Sequence, residues 1–327
     1  MFNKYFRSYP WWMQMLQLLL GIFILTEFAI ILCSTFLPKL TGFTVTQLEG
    51  LNESSSGAIV QAALLFQAIS HVAIFLLPTL LFAYLAHPRP LQYLGLVRPG
   101  KSIQLLLVTM IAFSAIPVLV GMESVFHSLN LGKLGKWAEE AQKQRDNFEK
   151  PFLNITSFSG FINVFFVIAI LPAIGEELLF RGVLLKFAKK RSSTMTAPLI
   201  ITSLLFALVH FNIYGLVPLF LAGAMLGIIY YLTGSLWCSM LFHLIINGSQ
   251  IAMVYLGNGN KAIKSFVESD AIPVYIPLIS LVVLAFSFYL LVKNQTPLPN
   301  GWENDFTPEE LEIENADKFP PHDDSQG

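Results

Sequence analysis

Gly175-Glu176-Glu177-Leu178-Leu179-Phe180-Arg181-Gly182 sets two adjacent carboxylates and an arginine inside a run otherwise fit for lipid. A charge at the centre of a bilayer costs about 2.5–3.5 kcal/mol on insertion scales. Two acids side by side persist there only with partners or a chemical task. The chain around them has the composition of an integral membrane protein. Of 327 residues, 54% are hydrophobic and only 13% charged, with a mean hydropathy of +0.62, against about 25% charged in soluble domains. The net charge of -1 gives no sign of a nucleic-acid partner. Cys33 and Cys238 lie far apart in apolar runs without metal-ligand spacing and read as buried free thiols.

A helix crosses the hydrocarbon core in about 20 mostly apolar residues. Eight runs meet that template: 11–37, 58–86, 103–125, 157–185, 194–212, 214–233, 235–256 and 272–293. The expected fold class is therefore all-α, a polytopic transmembrane helical bundle of about eight spans. Lys4 and Arg7 precede the first run, which is too long for the apolar core of a signal peptide. Trp11 and Trp12 would sit at the interface. The loop 87–102 carries Arg89, Arg98 and Lys101 and no acid, and the link after the fourth span carries Lys186, Lys189, Lys190 and Arg191. By the positive-inside rule both face the cytoplasm, together with both termini. The short loops suggest a bacterial inner-membrane protein.

The chain divides into N-terminal transmembrane helices with an extramembrane loop at 126–156 (1–156), a core at 157–256, a last transmembrane helix (257–293) and an acidic tail (294–327). In the loop, residues 136–143 read as an interfacial helix or a solvated connector, with Glu139 and Lys143 at i,i+4. Asn154-Ile155-Thr156 is a weak sequon beside a span. The tail has nine acids and only Lys318 as a base, so it is expected to be disordered beyond a helix start at Thr307-Pro308-Glu309-Glu310. No useful internal repeat is evident, which weakens a secondary-transporter reading.

Polar residues within the spans form three arrays. In Glu176-Glu177-x-x-x-Arg181, Glu177 and Arg181 are i,i+4 neighbours and form an ion pair on one helix face. Glu176 lies about 100° away, without that partner, in a setting suited to a general base. Phe206 to His210 ends the fifth span. His243 and Asn247 share one face of the seventh, spaced so that both can donate hydrogen bonds to a developing oxyanion. Glu176, His210 and His243 equally form a possible zinc ligand set with an open position for water. Elsewhere, His71 reads as a satisfied core histidine and Glu27 as a packing-side hydrogen-bonding group. His87, His127 and His322 lie outside the spans, and Glu123 lies near a span end.

The ordered set of arrays resembles the CAAX protease and bacteriocin-processing (CPBP, or Abi) family of intramembrane endopeptidases. That family is marked by Glu-Glu-x-x-x-Arg, Phe-x-x-x-His and His-x-x-x-Asn. The Phe180-Arg181-Gly182 sequel, the Gly223-x-x-x-Gly227 spacing and Thr233-Gly234-Ser235-Leu236 also look like it. The resemblance covers about residues 157–256. It implies proteolysis of a membrane-associated protein or peptide, in which Glu176 and His210 activate water and His243 and Asn247 stabilise the oxyanion. Glu177 and Arg181 would hold the Glu176 helix in place, with Glu177 able to take part. The family is often labelled a metalloprotease, and a metal-free glutamate mechanism has also been argued for it. No cofactor is favoured here, because His-x-x-x-Asn lacks the second ligand that His-Glu-x-x-His supplies on one helix; zinc remains possible. A transporter or proton relay, and a non-proteolytic scaffold or immunity protein, are the alternatives.

One geometric tension remains. If the fourth span starts near Ile162, Glu176 lies about 21 Å from the outer face, and His210 lies about 24 Å from the inner face. Across a core of about 30 Å those depths differ by about 15 Å. Leu171-Pro172 is a candidate helix break that would bring them together.

Overall fold

Helices alone build the membrane part, because each apolar run satisfies its own backbone hydrogen bonds where no water is present to do so. The computed structural model describes residues 6–52, 54–129, 132–260, 263, 265 and 273–306. In chain order its long helices are α1 (Trp11–Thr41), α2 (Gly57–Ala86), α3 (Ile103–His127), the polar α4 (Gly132–Leu153), α5 (Phe158–Lys189), the short α6 (Thr196–Leu208), α7 (Leu216–Thr233), α8 (Leu236–Gly259) and α9 (Tyr275–Lys293). All but α4 and α6 are long and apolar enough to cross a membrane. With α6 as a short eighth member, the chain is an all-α polytopic bundle, an integral membrane protein.

The fifth span is shorter than the expected 194–212. α6 stops at Leu208, and the Phe211 N–H bonds to the Leu208 carbonyl at 3.1 Å while Phe211 takes a left-handed φ of 50°. That conformation costs a non-glycine residue about 1–2 kcal/mol. The Asn212 side chain then accepts from the Gly215 N–H at 2.8 Å and turns the chain into α7. α6 packs on α7 through the two small residues of Gly223-x-x-x-Gly227: Gly223 faces Ser203 and Phe206, and Gly227 faces Leu199.

Pro172 does not break α5. A wide π-helical turn at Phe166–Ile170 precedes Leu171-Pro172, and a matching one at Val72–Leu76 in α2 precedes Leu77-Pro78. Proline lacks an N–H and crowds the carbonyl four residues back; one wider turn accommodates it without ending the helix. The two spans pack together at these turns.

The tail differs from expectation up to residue 306. Residues 294–306 form a strap across one end of the bundle. The Thr296 N–H donates to the Leu232 carbonyl at 2.8 Å, and that of Leu298 to the Tyr231 carbonyl at 3.1 Å. Trp302 stands edge-on to Tyr230, Glu303 pairs with Lys189 at 3.2 Å, and Asp305 pairs with Lys190 at 2.6 Å. Gly234 ends α7 with φ 63°, and a Cβ there would meet the Thr296 carbonyl oxygen at 2.9 Å. Two of the tail's nine acids, Glu303 and Asp305, therefore face the basic end of α5 rather than solvent. Thr307-Pro308-Glu309-Glu310 and the rest of the tail lie outside the described residues.

At the other end, α4 is longer than the predicted 136–143 segment and is not a detached connector. Phe152 is buried in the core, and the Gly135 carbonyl lies 3.5 Å from the Tyr214 hydroxyl. Its Glu139 and Lys143 are both exposed, and the i,i+4 pair that forms is Arg145–Glu149 at 3.8 Å. Cys33 and Cys238 are buried free thiols.

Asp305 also accepts from the buried Gln14 amide at 2.9 Å, tying the strap to α1. The same amide donates to the Tyr9 carbonyl at 2.8 Å, so Asp305→Ala should remove one of its two bonds together with the Lys190 pair and lower stability by about 1–2 kcal/mol, measured as the denaturation midpoint of the detergent-solubilised chain.

Candidate active site

α5 carries the first array at mid-length. Glu177 is fully buried and Arg181 nearly so, and the guanidinium donates to the Glu177 carboxylate at 2.8 Å. A second Arg181 nitrogen donates to the Gly223 carbonyl of α7 at 2.8 Å, and the guanidinium lies 4.8 Å from the Phe206 ring centroid of α6. His243 of α8 donates its Nδ1–H to the same Glu177 oxygen at 3.0 Å. One carboxylate thus fixes residues from α5 and α8 directly, and α7 and α6 through Arg181. Four helices meet on it.

Phe206 fills the space between the arrays. Its ring makes edge contacts with Phe180 at 5.3 Å and with His243 at 5.8 Å, and lies 4.8 Å from the ring of His210. The phenylalanine of Phe-x-x-x-His is therefore the apolar wedge that spaces the polar groups. Edge-on aromatic pairs of this kind contribute about 0.5–1.5 kcal/mol beyond their buried area.

Glu176 takes no part in that hydrogen-bond network. It is buried, and its Oε2 makes no protein hydrogen bond. The nearest charged partner is His210, whose Nε2 lies 4.0 Å from Oε2. His210 follows the end of α6, and its Nδ1–H donates to the Phe206 carbonyl at 2.7 Å. A carbonyl can only accept, so in the neutral imidazole Nε2 carries the lone pair. Two acceptors therefore confront each other. A water donating one hydrogen bond of about 2.8 Å to each spans acceptors about 4–4.5 Å apart.

The two groups meet despite their unequal apparent depths because α5 is 32 residues long and overruns a bilayer core. Measured from the end shared with α6, Glu176 lies about 20 Å before Lys189 and His210 about 21 Å beyond Thr196, at about 1.5 Å per residue. The surplus length of α5 is at its other end. No helix break is needed.

Of the sequence-predicted residues, Glu176 comes together with His210, and Glu177 with Arg181 and His243. Asn247 is less committed: its Nδ2 reaches toward the Ile168 carbonyl at 3.4 Å. Pro172 has no N–H to offer that carbonyl, and the second amide hydrogen of Asn247 stays available. Glu27 is exposed on α1 rather than packed. Glu123 accepts from the Asn212 amide at 3.4 Å, a link across the rim that sequence spacing could not reveal. Phe211, next to His210, is 85% exposed and marks the open edge of the centre. His71 is buried, but its Nε2 has no partner, contrary to its reading as a satisfied core residue.

Among the described residues, no three His, Cys, Asp or Glu side chains are placed to hold one metal ion. His243 directs its Nδ1–H to Glu177, which leaves Nε2 as its free ring nitrogen. As they stand, Glu176, His210 and His243 do not converge on one ion.

A buried glutamate–histidine pair and a charge network thus lie at the centre of a bundle of lipid-fit helices. Residues 158–249 match the family model described as Rce1-like, type II CAAX prenyl endopeptidase Rce1-like. The match agrees with the CPBP resemblance of the three arrays. No curated protein and no solved structure matches the chain.

Glu177→Ala would leave Arg181 and His243 buried without their carboxylate. Such uncompensated charge costs about 3–5 kcal/mol, so the variant should unfold at markedly lower denaturant than wild type. Glu177→Gln should fall between the two.

Proposed function

We propose that the chain hydrolyses a peptide bond of a membrane-associated protein or peptide, with Glu176 and His210 activating water and no metal in the step. The observation that carries this is the 4.0 Å separation of His210 Nε2 and Glu176 Oε2, with His210 oriented by the Phe206 carbonyl. A water held by both acceptors presents its own lone pair away from them, toward an incoming carbonyl. In the attack, the water oxygen bonds to the carbonyl carbon and its proton passes to Glu176. The carbonyl electron pair becomes an oxyanion. When the C–N bond breaks, Glu176 returns the proton to the leaving nitrogen and the oxyanion closes to a carboxylic acid.

His243 and Asn247 are the proposed oxyanion donors. An imidazolium at His243 has Glu177 as counter-ion on its Nδ1 side and offers Nε2–H as donor. Asn247 supplies its second amide hydrogen. Glu177 and Arg181 hold the helix carrying Glu176 and keep His243 in its rotamer.

The proposed orientation puts both basic loops and both termini in the cytoplasm of a bacterial cell. In support, the buried Lys186 donates to the Tyr93 carbonyl, so the loop 87–102 and the end of α5 share one face of the bundle. The strap 294–306 docks on that same face through Lys189 and Lys190.

The test uses the full chain in liposomes, screened against prenylated and unprenylated membrane peptides. Wild type should cleave, while Glu176→Gln and His210→Phe should remain folded and lose at least about 100-fold in kcat, the lower range for a general base. Activity that survives chelation and metal-free purification is expected. Stoichiometric zinc lost together with activity in His210→Ala would overturn the metal-free step. Ion or solute flux abolished by Glu176→Gln, with no cleavage by wild type, would overturn proteolysis.

A further inference from the structure

His71 is a buried, potentially reactive side chain for which the proposed mechanism has no use. It lies where the π-helical turn of α2 begins, and its ring stacks on Phe75 at 4.6 Å, which fixes its direction. Only 9% of the residue is exposed, and Nε2 has no hydrogen-bond partner. An unpaired buried polar atom is destabilising, and an apolar side chain of similar size would avoid the penalty. Bulk is therefore a poor explanation for an imidazole at this position.

The ring is directed at the turn of α5 that precedes Glu176. A Cβ built on Gly175 would lie 2.8 Å from His71 Nε2 and 3.3 Å from Cδ2. Only the absence of a side chain at 175 lets the imidazole edge approach the backbone there. One residue beyond Gly175, Glu176 Oε2 is likewise buried without a protein partner. Two orphaned polar atoms, one against Gly175 and one on the next residue, supply the two polar partners that a buried water requires. A carboxylate oxygen has two lone pairs, so Oε2 can serve His210's water and a second one.

We infer that His71 is a positioning residue of the catalytic centre, sharing one buried water with Glu176 and so fixing the carboxylate against His210. The inference rests on the proposed role of Glu176. His71 does not touch the scissile bond; it restricts the direction in which the base points.

The experiment compares wild type, His71→Leu, His71→Gln, Glu176→Gln and the His71→Leu/Glu176→Gln double variant of the full chain. For cleavage, His71→Leu should lower kcat on the order of tenfold, as loss of an outer partner does, with KM unchanged. His71→Gln keeps a polar atom and should recover most of that loss. For stability, the melting-temperature shifts of His71→Leu and Glu176→Gln should not sum in the double variant, as for groups sharing a partner. Wild-type kcat in His71→Leu, or a loss that Gln leaves unrelieved, would overturn the inference. Additive melting shifts would do so even without an assay. If wild type cleaves no peptide, the proteolytic reading falls, and the melting cycle alone decides whether His71 and Glu176 are coupled.

Discussion

The fully buried Glu177 carboxylate is the constraint on which the remaining geometry depends. It accepts from Arg181 on its own helix and from His243 on α8, and Arg181 carries the connection on to the Gly223 carbonyl and the Phe206 ring. In lipid or a protein interior such charges are tolerated only as a set, because removing one member leaves the others desolvated and unpaired. The same property makes the network a positioning device. With the charges tied to each other, α5, α6, α7 and α8 have little freedom to slide, and Glu176 is held one residue away from a fixed point.

The backbone supplies the rest of the alignment. Two proline-associated wide turns let α2 and α5 stay continuous while they pack together, and the small residue at Gly175 allows His71 into that contact. α6 stops early, at a strained Phe211, so its terminal histidine is delivered to mid-depth instead of the far surface. At the other end of α5 the strap neutralises Lys189 and Lys190. The helix that bears the catalytic candidates is therefore fixed both at its middle and at one end, which suits a base that has to keep a defined distance from its partner.

Most of the helical architecture could be read from the residues. Apolar runs near the length of a bilayer have few alternatives to helix, so the eight spans were recognisable, with errors concentrated at their ends. Those errors have a common physical cause. Where α6 ends depends on a left-handed Phe211 and the Asn212 turn, and where α5 ends depends on contacts beyond the bilayer, neither of which hydropathy reports. The strap misled for a related reason: Glu303 and Asp305 look like acids of a solvated segment until Lys189 and Lys190 are brought beneath them. The Glu177–Arg181 pair was readable because i,i+4 spacing is local. His71 was not, since whether a lone buried histidine is satisfied depends on a helix distant in sequence.

What the sequence by itself determined was the membrane setting, the helical class, the identity of the six polar residues and their resemblance to an intramembrane protease family. These follow from composition and from spacings within single helices, where geometry is nearly invariant. The tertiary structure decided which residues meet: Glu177 with His243, Glu176 with His210, and Gly175 with His71. Those distances are set by how whole helices shift and pack along one another. A displacement of one turn, about 5.4 Å, leaves every sequence motif intact and separates every pair.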